Sequence, residues 1–133
     1  MKKNILGALA LMILAATLQS AAPKGDKNVM TKEDGMYVVN TTTLGKGITG
    51  YVADTPVKVY IKKNTVVKVE LLKNQETPKY NARIKKNLLT KWDNQKVKNA
   101  ASQKVDGITG ATFTSEAVIK NVQLALDYYL KNK

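Results

Sequence analysis

Met36-Tyr37-Val38-Val39-Asn40-Thr41-Thr42-Thr43 is a β-branched and aromatic run that predicts a strand. Gly45, Gly47 and Gly50 then break the chain into turns, and Tyr51-Val52 starts a short extended piece. Val57 to Lys62 alternates apolar and polar residues, as a strand buried on one face does. Val66 to Leu72 repeats the alternation, with Val67, Val69 and Leu71 on one side. Lys63-Asn64 supplies a turn between them, so the two strands pair as an antiparallel hairpin. The period then changes. Tyr80, Ile84, Leu88 and Trp92 recur at spacing four, with Leu89 beside them, and predict a helix from Pro78 to about Asp93. Thr77 is its expected cap, and proline suits its first position. Asn94 to Lys104 reads as a polar loop with room for one turn of helix. Val118, Val122, Ala125, Leu126, Tyr129 and Leu130 mark one face of a last helix, from Ser115 onwards. It ends in Lys131-Asn132-Lys133, charges that suit a helix C-terminus. Strands followed by helices give an α+β fold: a small antiparallel β-sheet with helices packed against it.

The first residues follow a different pattern. A basic start, Met1-Lys2-Lys3, precedes an apolar run from Ile5 to Leu18 and small residues at Ser20, Ala21 and Ala22. This is the layout of a secretory signal peptide. A run of fourteen residues, with one Gly and one Thr in it, is short for a membrane span, which needs about 20. An uncleaved N-terminal anchor is the alternative, because Pro23 directly after the cut is disfavoured. No cysteine follows to carry a lipid. The expected division is a signal peptide over 1–22, a flexible leader over 23–35 and one domain over 36–133. The expected location is exported, in the periplasm or at the extracytoplasmic face of the membrane.

Composition narrows the chemistry. With no cysteine and no histidine, thiolate clusters, disulfides and Ser–His–Asp triads are excluded. No metal-ligand cluster and no nucleophile paired with a base is seen, so no catalytic residue is assigned. Redox work would need a bound cofactor. The net charge is +12, from 21 lysines, one arginine and 10 acidic residues. Removing Lys2 and Lys3 with the leader lowers it to 12 − 2 = +10. Arg83 stands alone where base readout and phosphate forks favour arginine, and the lysines are scattered, so nucleic acid is not an expected partner. A lysine-rich solvated surface is the plain reading. A secreted basic module that binds polyanionic surface polymers is the alternative.

Asp106-Gly107-Ile108-Thr109-Gly110-Ala111-Thr112, followed by Phe113-Thr114-Ser115, is a glycine loop running into the last helix. Thr114 or Ser115 is the expected cap, with Glu116 in the first turn. Such a helix start offers N–H groups and partial positive charge to a phosphate. The stretch resembles the flavin-attachment motif Asp-x-x-(Ser/Thr)-Gly-Ala-Thr of the FMN-binding domain family. That family includes the flavin-bearing C subunit of the sodium-translocating NADH:quinone reductase and the G subunit of the Rnf complex. Asp106, Thr109, Gly110, Ala111 and Thr112 match its five fixed positions, and Thr114-Ser115 is also typical.

The resemblance implies FMN joined to Thr112 through a phosphoester, placed there by a separate flavin transferase. Asp106 would serve recognition by that enzyme or fix the loop. Glu76-Thr77-Pro78 precedes the motif at the family's spacing and would lie near the isoalloxazine ring. The likeness runs from about Gly45 to Leu130 and implies the same α+β fold. Tyr51, Tyr80, Trp92 and Phe113 are aromatic candidates for stacking on the ring, with a place in the core as the alternative for each. The implied role is electron transfer between membrane or extracytoplasmic redox partners, a carrier rather than a substrate-transforming enzyme. FMN held without a covalent link is a further alternative. The chain is shorter than the respiratory subunits, which favours a stand-alone carrier.

Overall fold

Two tight hairpins build the sheet. The computed structural model describes residues 29–133. Strand β1 (Met30–Glu33) turns through Asp34-Gly35 into β2 (Met36–Asn40), and β3 (Val57–Lys62) turns through Lys63-Asn64 into β4 (Thr65–Leu71). Both turn residues have positive φ in each case: +51° and +78° at Asp34 and Gly35, +50° and +60° at Lys63 and Asn64. That is the type I′ geometry whose twist matches the flanking strands. The sheet is antiparallel throughout, in the order β1-β2-β3-β4.

The signal peptide expected over 1–22 and the leader residues 23–28 lie outside the described residues. The rest of the expected leader differs from that reading, because Met30–Glu33 pairs with Met36–Val39 as an edge strand. The strand expected over 36–43 stops at Asn40, where the Asn40 side chain accepts bonds from the Thr42 N–H and hydroxyl and bends the chain. Between β3 and β4 the register slips after Tyr60: Tyr60 faces Lys68 and Ile61 faces Val66. Val67 is the extra residue of this bulge and is 41% exposed, whereas Val66 is fully buried. The expected buried set therefore becomes Val66, Val69 and Leu71, since one added residue reverses the faces on one side of it.

Helix α1 (Pro78–Asn87) is shorter than the periodicity predicted. The chain tightens after Leu88 into a 3-10 turn, Leu89–Trp92. That turn puts Leu88, Leu89 and Trp92 into the core together. The expected polar loop contains α2 (Val97–Ser102), which buries Val97 and Ala100. The segment before it covers the outer edge of β4: Val66 N donates to Gln95 O and Asn94 N to Val66 O, both at 2.8 Å. Helix α3 (Thr112–Asn132) lies against β2 and β3. Val118, Val122, Ala125 and Leu126 have no solvent exposure and meet Val39, Val57, Val59 and Ile61 of the sheet in one core. Tyr129 closes its far end, edge-on to Tyr37 at 5.2 Å, with its hydroxyl donating to Asn64 Oδ1 at 2.6 Å. This long anchored helix holds its own first turn, and the glycine loop ahead of it, at the rim of the molecule.

Candidate flavin site

Helix α3 begins at Thr112, with Ala111 as the cap residue and no side-chain cap. The expected caps have other partners. Thr114 donates its hydroxyl to Glu76 Oε1. Ser115 Oγ accepts from Ile108 N at 2.9 Å, which folds the glycine loop back onto the helix. Glu116 falls beyond the first turn, which holds no acidic residue. The N–H groups of Thr112, Phe113 and Thr114 precede the first intrahelical acceptor, Ala111 O, which takes Ser115 N. The helix start thus presents donors and partial positive charge with no carboxylate of its own to neutralise them.

The loop needs its glycines. Gly110 has φ +86°, and a Cβ there would sit 2.7 Å from Arg83 Nη1. A Cβ on Gly107 would meet Ser115 Cβ at 3.0 Å. Arg83 also donates to Thr109 O at 3.2 Å, so the chain's single arginine reaches from α1 onto the motif. No sequence motif marks Arg83 for this place. Its rarity beside 21 lysines was the signal of a special place, since a planar fork differs from an ammonium.

A cavity of ≈ 270 Å³ opens at this point, lined by Tyr51, Tyr80 and Gly110 to Thr114. Tyr51 and Phe113 are 65% and 62% exposed. Their rings lie nearly parallel, 6.2 Å apart at 25°, and Tyr80 meets Tyr51 edge-on at 6.4 Å. Trp92 is 1% exposed in the core, away from this cavity, which leaves it no part in stacking on a ligand.

Glu76 is buried at 4% exposure and does not line the cavity. Its carboxylate accepts from Tyr51 N at 2.7 Å, Val52 N at 2.6 Å, Ala53 N at 2.8 Å and the Thr114 hydroxyl. Gly50 leaves the room it occupies, because a Cβ there would lie 2.7 Å from Glu76 Oε1. Burial pushes this carboxyl up, but the bonds from Thr114 and the three backbone N–H groups outweigh it and hold it below its ordinary value. Glu76 thus ties the Tyr51 loop to the first turn of α3. The neighbouring Thr77 serves α1 through its backbone: its carbonyl accepts from Tyr80 N and Asn81 N, and its side chain makes no cap. Asp106 is exposed, and the loop N–H of Ile108 bonds Ser115 rather than the Asp106 carboxylate.

The motif's hydroxyls are therefore sorted. Thr114 and Ser115 are buried and bonded; Thr109 and Thr112 are exposed, and Thr112 lines the aromatic cavity while Thr109 does not. An exposed hydroxyl at a helix start, aromatic walls and a nearby guanidinium fit a phosphate-bearing planar ligand. The model of one known family, the FMN-binding domain, matches residues 50–127, a span that takes in Tyr51, Glu76, Arg83 and the whole motif. Comparison with curated proteins and with solved structures returns no match. The family match covers more than half of the chain's 133 residues, and the chain belongs to the FMN-binding domain family.

Proposed function

We propose that this protein carries FMN covalently, as a phosphoester of Thr112, and acts as an exported electron carrier. The observation that supports it best is the sorting of the hydroxyls, which leaves Thr112 alone both exposed and beside the aromatic cavity. A threonine hydroxyl is a poor nucleophile without activation, and the chain has no histidine to provide it. A flavin transferase therefore supplies the base and uses FAD as donor. The bond from Thr112 Oγ to the FMN phosphorus forms as the pyrophosphate bond breaks, and AMP leaves with the proton. The N–H groups of the first turn of α3 would hold the phosphate, and Arg83, bonded to Thr109 O, would add a positive charge beside the loop.

Bound FMN supplies one- and two-electron chemistry. The chain's part is to hold the ring at the surface. At ≈ 270 Å³ the cavity is just below the usual range for small-molecule sites, about 300–1,000 Å³, so the ligand keeps much of its surface open to redox partners. Export rests on the pattern of residues 1–22. Covalent linkage suits that location, where a dissociating cofactor would be lost by dilution. Intact mass after co-expression with a flavin transferase tests the reading. The wild-type chain gains FMN less one water and Thr112→Ala gains nothing; an FMN adduct on Thr112→Ala overturns it.

A further inference from the structure

Tyr51 and Phe113 are two large aromatic side chains left mostly in solvent side by side, a poor use of apolar surface unless something covers them. We propose that they are the two jaws of a clamp that closes on the isoalloxazine ring; this rests on the flavin reading above and names the groups that hold the ring. A planar guest in contact with a ring on each face needs about 7 Å between them, twice the 3.5 Å contact distance of carbon atoms. The centroids stand 6.2 Å apart with the planes 25° from parallel, within about 1 Å of that spacing. The jaws differ from an ordinary core pair in what is fixed. The Tyr51 backbone is held by Glu76 and its ring edge by Tyr80, and the Phe113 backbone belongs to the first turn of α3. With most of their surface in solvent, the two rings have open space beside them into which a guest can enter. Phe113 also follows Thr112 directly in the chain, so a ligand tethered at Thr112 starts beside one jaw.

Flavin fluorescence reads the clamp, because a tyrosine stacked on the ring quenches it. In the flavin-loaded chain, with loading confirmed by intact mass, emission lies well below that of free FMN. Emission per bound FMN rises several-fold in Tyr51→Leu, in Phe113→Leu, which removes the wall that holds the ring against Tyr51, and in Tyr51→Leu/Phe113→Leu. Emission in the double variant equal to wild type overturns the clamp. If the mass shows no FMN on Thr112, the covalent reading has failed and the clamp is read separately, with riboflavin, which has no phosphate. Saturable quenching of riboflavin by the Thr112→Ala chain that disappears in Thr112→Ala/Tyr51→Leu then supports the clamp. Absence of quenching, or quenching that survives the change, overturns it. Thermal unfolding of each variant, followed by circular dichroism, shows that the fold is retained, and Tyr51→Trp, which keeps an electron-donating ring at that position, keeps the quenching; a bright, folded Tyr51→Trp chain overturns the clamp.

Discussion

The two ends of helix α3 are built on opposite rules. From Val118 to Tyr129 it gives apolar side chains to the core and finds Val39, Val57, Val59 and Ile61 on the sheet. Over Thr112 to Ser115 it does the reverse: Phe113 is left in solvent, while the polar side chains Thr114 and Ser115 are buried and each hydrogen-bonded. The same division separates the aromatic residues, Trp92 sealed in the core and Tyr51 with Phe113 at the rim. One end therefore supplies stability, which the other end draws on to hold polar loops and exposed rings in fixed positions. Glu76 is the link, since its carboxylate, 38 residues before Thr114 in sequence, ties the 51–53 loop to the first turn of α3.

Substitutions at the two ends should separate stability from flavin loading. Trp92→Ala empties the largest fully buried side chain and should cost about 3–5 kcal/mol of folding stability by denaturant titration. Loading of the molecules that remain folded should be unchanged. Glu76→Ala should cost about 1–3 kcal/mol, because the part-buried N–H groups of residues 51–53 and the buried Thr114 hydroxyl lose their acceptor, and should lower loading as well. The pH dependence carries the same signature. The folded carboxyl titrates below its ordinary value of 4.5, so its contribution is complete above pH 4.5 and is lost as pH falls through the folded value. Wild type should therefore lose stability more steeply than Glu76→Gln below pH 4.5. Equal slopes would show that Glu76 is not the link. Ser115→Ala, which leaves Ile108 N without its acceptor, should cost about 1 kcal/mol and slow attachment by loosening the loop. Smallest is Val67→Thr, on the bulge and 41% exposed, which should change stability by less than about 0.5 kcal/mol and leave loading intact.

The core end was largely legible in the sequence because it obeys local periodicities. Alternation over Val57–Lys62 and the four-residue spacing of Val118 and Val122 each report a single buried face. The exceptions have local causes. An added residue in a strand barely disturbs the apolar pattern, so the alternation points Val67 inward although the bulge leaves it exposed and buries Val66. Strand β1 is charged and exposed along most of its length, with a burial pattern that marks an edge. Only Asp34-Gly35 announced it, as a type I′ turn pair. The rim end was legible as a motif and illegible as a geometry. Thr114 and Ser115 look like helix caps by position, yet their partners, Glu76 and Ile108, are set by tertiary contacts. Glu76 was picked out for the flavin's surroundings and in the structure braces the walls of the cavity. Arg83 carried no local signal beyond its rarity.

The measurement that goes straight to the central claim is fragment-ion mapping of the flavin-bearing peptide. Trypsin should release residues 105–120, which contain Thr109, Thr112, Thr114 and Ser115 together. The account predicts FMN on Thr112 of that peptide. FMN on Thr109, on either buried hydroxyl or on any other peptide would contradict it.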